Sequence, residues 1–176
     1  MGDDHRRRGR WLAALVLLAL TLSLVPAAAA SKRTAAGPKG IIDALNQARA
    51  ANGLPALADS RALAAAARAH AASMARRGYF AHDSADGTPF WRRVAAFYPV
   101  GGFARWQVGE TLYWSRPGPS AAGVVAAWLG SPEHRDILLG DWAQVGVGIV
   151  GVPSAPGVFG GQATVIAVAD FGLRHH

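Results

Sequence analysis

The chain contains no cysteine in 176 residues. Disulfides therefore cannot hold the fold, and a thiol nucleophile and a lipoprotein-type lipid anchor are both excluded. Acidic residues are scarce, 11 against 18 Lys and Arg, and only Glu110 and Glu133 are glutamates. No HExxH, P-loop, dinucleotide fingerprint or nucleophile elbow occurs. Gly146 and Gly148 form a G-V-G, but no helix follows it, so it does not read as a phosphate cradle. A long apolar run is missing too. Trp11 to Val25 is uncharged for only 15 residues, and a membrane span needs about 20.

What is present at the start has a different logic. Arg6, Arg7, Arg8 and Arg10 precede the apolar run, and Pro26 and the Ala27 to Ala30 tract follow it. Basic, apolar and small-residue segments in that order predict a secretory signal peptide over residues 1–30. The protein is then secreted or periplasmic, with no stable membrane span after cleavage. Residues 31–40 read as a linker, 41–172 as a single domain and 173–176 as a C-terminal tail. Four of the basic and two of the acidic residues fall in the leader, leaving 14 against 9. No Lys/Arg run recurs, so nucleic acid is not an expected partner.

The pattern predicts helices first and strands last, an α+β arrangement. Ile41, Ile42, Leu45 and Ala48 form one helical stripe, stopped at Gly53. Asp59 or Ser60 caps a long Ala-rich helix ending at Arg77, with Gly78 at its C′ position. Thr88-Pro89 opens a third helix to about Tyr98, with Thr as N-cap. Val108 to Trp114 reads as short and irregular or extended. Ser120 starts a fourth helix through Trp128, and Ser131-Pro132 a short fifth. Gln144–Val152 and Gln162–Phe171 read as a strand hairpin joined by a loop from Pro153 to Gly161.

Several ionisable groups sit beside segments that should be buried. His82 follows Tyr79-Phe80. Glu110 lies between Trp106-Val108 and Leu112-Trp114. His134 lies between Trp128 and Ile137-Leu138-Leu139. Burying such groups unpaired costs about 1–3 kcal/mol each, so mutual pairing is expected. His70 falls on the apolar stripe of the second helix and reads as a satisfied interior histidine. Glu133, at a helix start, reads first as a solvated cap. Tyr113, Trp114, Trp128 and Trp142 read as core or cleft wall.

Five stretches then converge. NQARAANGLPAL, GYFAHDSADG, VGETLYWS, AAWLGSPEHRDIL and QVGVGIV, in this order, resemble a bacterial CAP (SCP-like) domain. That superfamily holds the cysteine-rich secretory, antigen-five and pathogenesis-related proteins. The resemblance implies a three-layer α-β-α sandwich with a central antiparallel sheet and a large cleft. It also implies a cleft lined by two His and two Glu, which in some members hold a divalent metal such as zinc. His82, Glu110 and His134 match three of these. The fourth place, three residues beyond the helix Trp, falls on Ser131, with Glu133 nearby; the G-E-N motif reads G-E-T, with Thr111 for Asn.

The expected function is a non-enzymatic binding module for a small or apolar ligand or a cell-envelope component. A metal-dependent hydrolase is the alternative, with Glu133 as general base and zinc lowering the pKa of bound water. An envelope interaction protein using its surface is the third reading. His82, Glu110 and His134 lie far apart in the chain, so no local spacing enforces a catalytic geometry.

Overall fold

The computed structural model describes residues 36–116 and 118–176. The expected signal peptide and most of the linker lie outside the described residues. Helix α1 (Pro38–Ala51) starts inside the expected linker, because Gly37 is extended and Pro38 has the preset φ suited to a first helical turn. It buries Ile41, Ile42, Leu45 and Arg49. A two-residue strand β1 (Ala58–Asp59) follows, then α2 (Arg61–Arg77). Ser60 caps α2 by accepting from the Leu63 N–H, and Gly78 ends it in the left-handed region at φ 72°.

Helix α3 (Phe90–Ala95) is shorter than the sequence predicts and is not capped by Thr88. The Asp83 carboxylate takes the Phe90 N–H at 3.1 Å instead, which ties the helix start to the preceding loop. Strand β2 (Arg105–Ser115) is 11 residues long, where a short irregular or extended segment was expected over Val108 to Trp114. After α4 (Ala121–Leu129) and α5 (Pro132–Leu138) come β3 (Gln144–Ala155), a 3-10 turn at Gly157–Phe159 and β4 (Gln162–His175). The expected C-terminal tail is thus mostly strand, and His175 pairs with Arg105.

The sheet order is β1-β3-β4-β2. The long pairings are antiparallel as expected, but β1 runs parallel to β3, so the sheet is mixed. Strand alternation sorts its side chains into two layers. Even-numbered Leu112, Ile166 and Val168 meet Ala67, Ala71 and Met74 of α2. Odd-numbered Val147, Ala169 and Phe171 meet Ile41, Leu45, Val125 and Trp128 of α1 and α4. The result is the α-β-α sandwich. No helix among the described residues is long and apolar enough to cross a membrane.

Two close packings shape it. A Cβ on Gly146 would lie 2.0 Å from the Ala64 nitrogen, and one on Gly148 2.2 Å from the Arg68 nitrogen. The G-V-G is therefore a bed on which α2 lies backbone to backbone. Two strand residues advance about 6.8 Å and four helical residues about 6 Å, so one turn of α2 matches each glycine. On the other side Arg49, 1% exposed, donates through Nε to the Pro55 carbonyl at 3.0 Å. Its Nη1 donates to the Leu138 and Gly140 carbonyls at 2.8 and 2.9 Å, satisfying the orphan acceptors at the end of α5.

Candidate functional site

Glu110 in β2 stands directly opposite Asp170 in β4, on the α2/α3 side of the sheet. Both are buried, at 2% and 0% exposure. Arg93 of α3 reaches between them. Its Nη2 donates to Glu110 Oε2 at 2.5 Å and to the His82 carbonyl at 3.3 Å, while Nη1 lies 3.9 Å from Asp170 Oδ2. His82, in the loop between α2 and α3, donates from Nδ1 to Glu110 Oε1 at 2.8 Å. The ring is half exposed, and its second nitrogen is left without a protein partner among the described residues. The loop is held from below, since buried His70 donates from Nε2 to the Ala81 carbonyl at 2.9 Å.

The two carboxylates are pushed apart in acidity. Burial alone would raise Glu110, but the His82 hydrogen bond and the Arg93 charge outweigh it and hold its pKa below the usual value. Asp170 is raised well above the usual value by burial, reinforced by the Glu110 charge. The lowered acid thus favours its ionised form and the raised one its protonated form, as expected for two carboxyls sharing one cation. The Glu110 bond also raises His82 against the opposing effect of burial.

This assignment has a pH signature. A raised acid pKa contributes stability that is present below the unfolded value, about 3.9 for Asp, and lost as pH rises toward the folded value. Asp170→Asn mimics the protonated acid and removes that loss. The variant should therefore gain on the wild type as pH rises from 5 to 9, read as urea midpoints. Parallel curves would mean that Asp170 is ionised in the fold.

Around the network lies a cavity of about 370 Å³. His82 and Glu110 form its polar floor, and Phe90, Val108, Ile137 and Trp142 its apolar walls. Trp142 donates from Nε1 to the Ile137 carbonyl at 2.7 Å and packs on Phe171. Gly109 makes room for that ring, since a Cβ there would lie 2.8 Å from Trp142 Cζ2.

The fold thus brings His82 and Glu110 together. His134, on α5, is partly exposed and does not line the cavity, although its pKa is lowered by burial and by the charge of His82. Glu133 is exposed on the first turn of α5, and Ser131 is the N-cap position without a side-chain cap bond. Neither lines the cavity. Trp128 is core, donating to the Leu112 carbonyl, Tyr113 packs against the core, and Trp114 is 40% exposed. Sequence reasoning missed Arg93 and Asp170. Asp170 had a signal: it is the single charge in the apolar run TVIAVADFG, and a buried charge needs a partner.

A divalent metal would need free donors in this set. Both Glu110 oxygens are engaged, one by His82 and one by Arg93, and the guanidinium already supplies the counter-charge. Among the described residues no three His, Asp or Glu side chains are grouped to hold a metal ion. As arranged, these residues do not fit one.

Comparison with known proteins agrees with the fold. An extracellular protein containing an SCP domain from Bacillus anthracis is 25% identical over 76% of this chain, with a TM-score of 0.58. The match covers 39% of that protein, so this chain spans about two-fifths of its length. An outer surface protein from Borrelia burgdorferi is 23% identical over 77% of this chain and 91% of its own, with a TM-score of 0.59. No curated protein sequence matches significantly. The profile of the cysteine-rich secretory protein family, CAP, matches residues 42–170. With that match spanning most of the chain and the sandwich fold behind it, this protein belongs to the CAP family.

Proposed function

We propose that this chain is an exported binding module whose cleft, floored by His82 and Glu110, takes a small or apolar ligand. The observation that carries the reading is a polar floor, the His82 ring and the Glu110 main chain above a covered and neutralised carboxylate, under apolar walls. Glu110 is matched by Arg93 and His82, while Phe90, Ile137 and Trp142 face the space above. Ligand pockets are built in this way, with few polar groups fixing orientation among many apolar contacts. Export is supported by the leader-like sequence of residues 1–30 and by the extracellular and outer-surface settings named for the two structural relatives.

The test uses anilinonaphthalene sulfonate as an apolar probe. Its fluorescence should rise with the protein, and Trp142→Ala should weaken binding at least tenfold. No hydrolysis of casein or a p-nitrophenyl ester should accompany it. Turnover that disappears in folded His82→Ala would replace the binding reading with a hydrolase. Probe binding indifferent to Trp142→Ala would move the ligand off this cleft.

A divalent metal such as zinc is the second reading, with His82, Glu110 and His134 as its ligands. The lowering of the His134 pKa by the charge of His82 favours it, and the Arg93–Glu110 bond opposes it. It predicts a higher melting temperature on adding zinc to chelator-treated protein at pH 7.5, weaker below about pH 6 because ligating His must be neutral. An unchanged melting temperature leaves the arginine-held cleft alone.

A further inference from the structure

Strand β2 is the last of the sheet, so one of its sides has no neighbouring strand among the described residues. Along an antiparallel pair, successive residues direct N–H and C=O alternately toward the partner and away from it. Two observations fix which residues of β2 face away. The Leu112 carbonyl accepts from Trp128 Nε1, a side chain outside the sheet, at 2.9 Å. Independently, the Ala58 N–H of β1 donates to the Ala143 carbonyl and the Ser60 N–H just after it to the Val145 carbonyl. That turns the even residues of β3 toward β4, the odd residues of β4 toward β2, and the even residues of β2 outward.

Val108 and Glu110 therefore present N–H and C=O to the open edge, in the stretch that lines the cavity. Among the described residues, none hydrogen-bonds these four groups on that side. Glu110 is 2% exposed while its side chain is wholly covered, so what the cavity reaches of this residue is main chain. Buried backbone donors and acceptors are rarely left unpaired.

We propose that the ligand of this cleft is an extended peptide whose main chain pairs with the outer edge of β2 at Val108 and Glu110. The proposal rests on the cleft reading above. An extended main chain repeats a donor and an acceptor every two residues, about 6.8 Å, which is the spacing from Val108 to Glu110. A purely apolar molecule fills the same space and leaves the four groups unpaired. The ladder is short, because Trp128 closes the edge at Leu112. Phe90, Ile137 and Trp142 receive side chains, as in other strand-addition sites. The excess of 14 Lys and Arg over 9 Asp and Glu outside residues 1–30 selects an acidic sequence over a basic one.

The experiment follows backbone amide exchange in the full chain. The probe is a pool of capped hexapeptides of Ala, Val, Leu, Asp and Glu. Exchange at Val108 and Glu110 should slow at least tenfold with the pool and stay unchanged with the same pool N-methylated. Val108→Pro should bind at least tenfold more weakly and keep its fold, because that N–H lies outside the β4 ladder and Pro is tolerated at sheet edges. Equal binding by the N-methylated pool, or slow exchange at both amides before any peptide is added, overturns the proposal. Protection by N-acetylglucosamine oligomers but not by peptides also overturns it. If anilinonaphthalene sulfonate binds in the cavity while peptides do not, the peptide proposal falls and the cleft reading stands; if neither binds, both fall.

Discussion

Gly148→Ala is expected to lose about 3 kcal/mol or more of folding stability, at or beyond the upper end for overpacked cores. The added Cβ would lie 2.2 Å from the Arg68 nitrogen and 2.5 Å from the Ala67 carbonyl carbon. These are backbone atoms inside a 17-residue helix, so no side-chain rotation relieves the clash. Relief requires α2 to lift off the sheet, and that would open the contacts of Ala67, Ala71 and Met74 with Leu112, Ile166 and Val168. Gly151→Ala is the control on the same strand. Its nearest neighbour would be Val165 Cγ2 at 3.8 Å, and a change within about 0.5 kcal/mol is expected. Urea unfolding with an unchanged m-value checks both. A Gly148→Ala protein within 1 kcal/mol of the parent would show that the helix does not need this bed.

The double variant Glu110→Gln/Asp170→Asn is expected to lose about 3–5 kcal/mol at pH 7, the cost of stranding a buried charge. The stranded group is Arg93, whose side chain is 10% exposed. The singles should be much milder. Asp170→Asn replaces a carboxyl already held protonated, and should be nearly neutral at pH 7. Glu110→Gln removes a charge that opposes ionisation of Asp170, so Asp170 can ionise and take over the guanidinium. About 1–3 kcal/mol, the cost of an impaired buried hydrogen bond, is expected for it. The two changes should therefore couple by about 1 kcal/mol or more. Strictly additive losses would mean that the two carboxylates do not substitute for each other.

These results depend on residues that the sequence revealed unequally. The ends of α2 were readable because Ser60 and Gly78 carry capping chemistry in their own side chains or lack of one. Strand β2 was readable only as a short irregular or extended stretch, since its middle holds Glu110 and its edges Arg105, Gln107 and Trp114, with no clean alternation. Its strand character comes from pairing with β4, a long-range fact. A two-residue strand such as β1 has no period to detect. At the site, His82 and Glu110 were found because local motifs surround them. Arg93 was hidden beside Arg92, and nothing local distinguishes an arginine that turns inward from one in solvent.

Arg49 gives the cleft an order of failure. It holds the end of α5, and with it the Ile137 and Trp142 wall, through carbonyl oxygens alone. Carbonyls do not titrate, so acidification leaves that anchor intact. The floor is different. A carboxylate held below its usual pKa stabilises the fold above the unfolded value and loses that contribution as pH falls through the folded one. Only below that lowered value does Glu110 let go of His82 and Arg93, and the aromatic wall still stands there, so the cleft loses its floor before its wall.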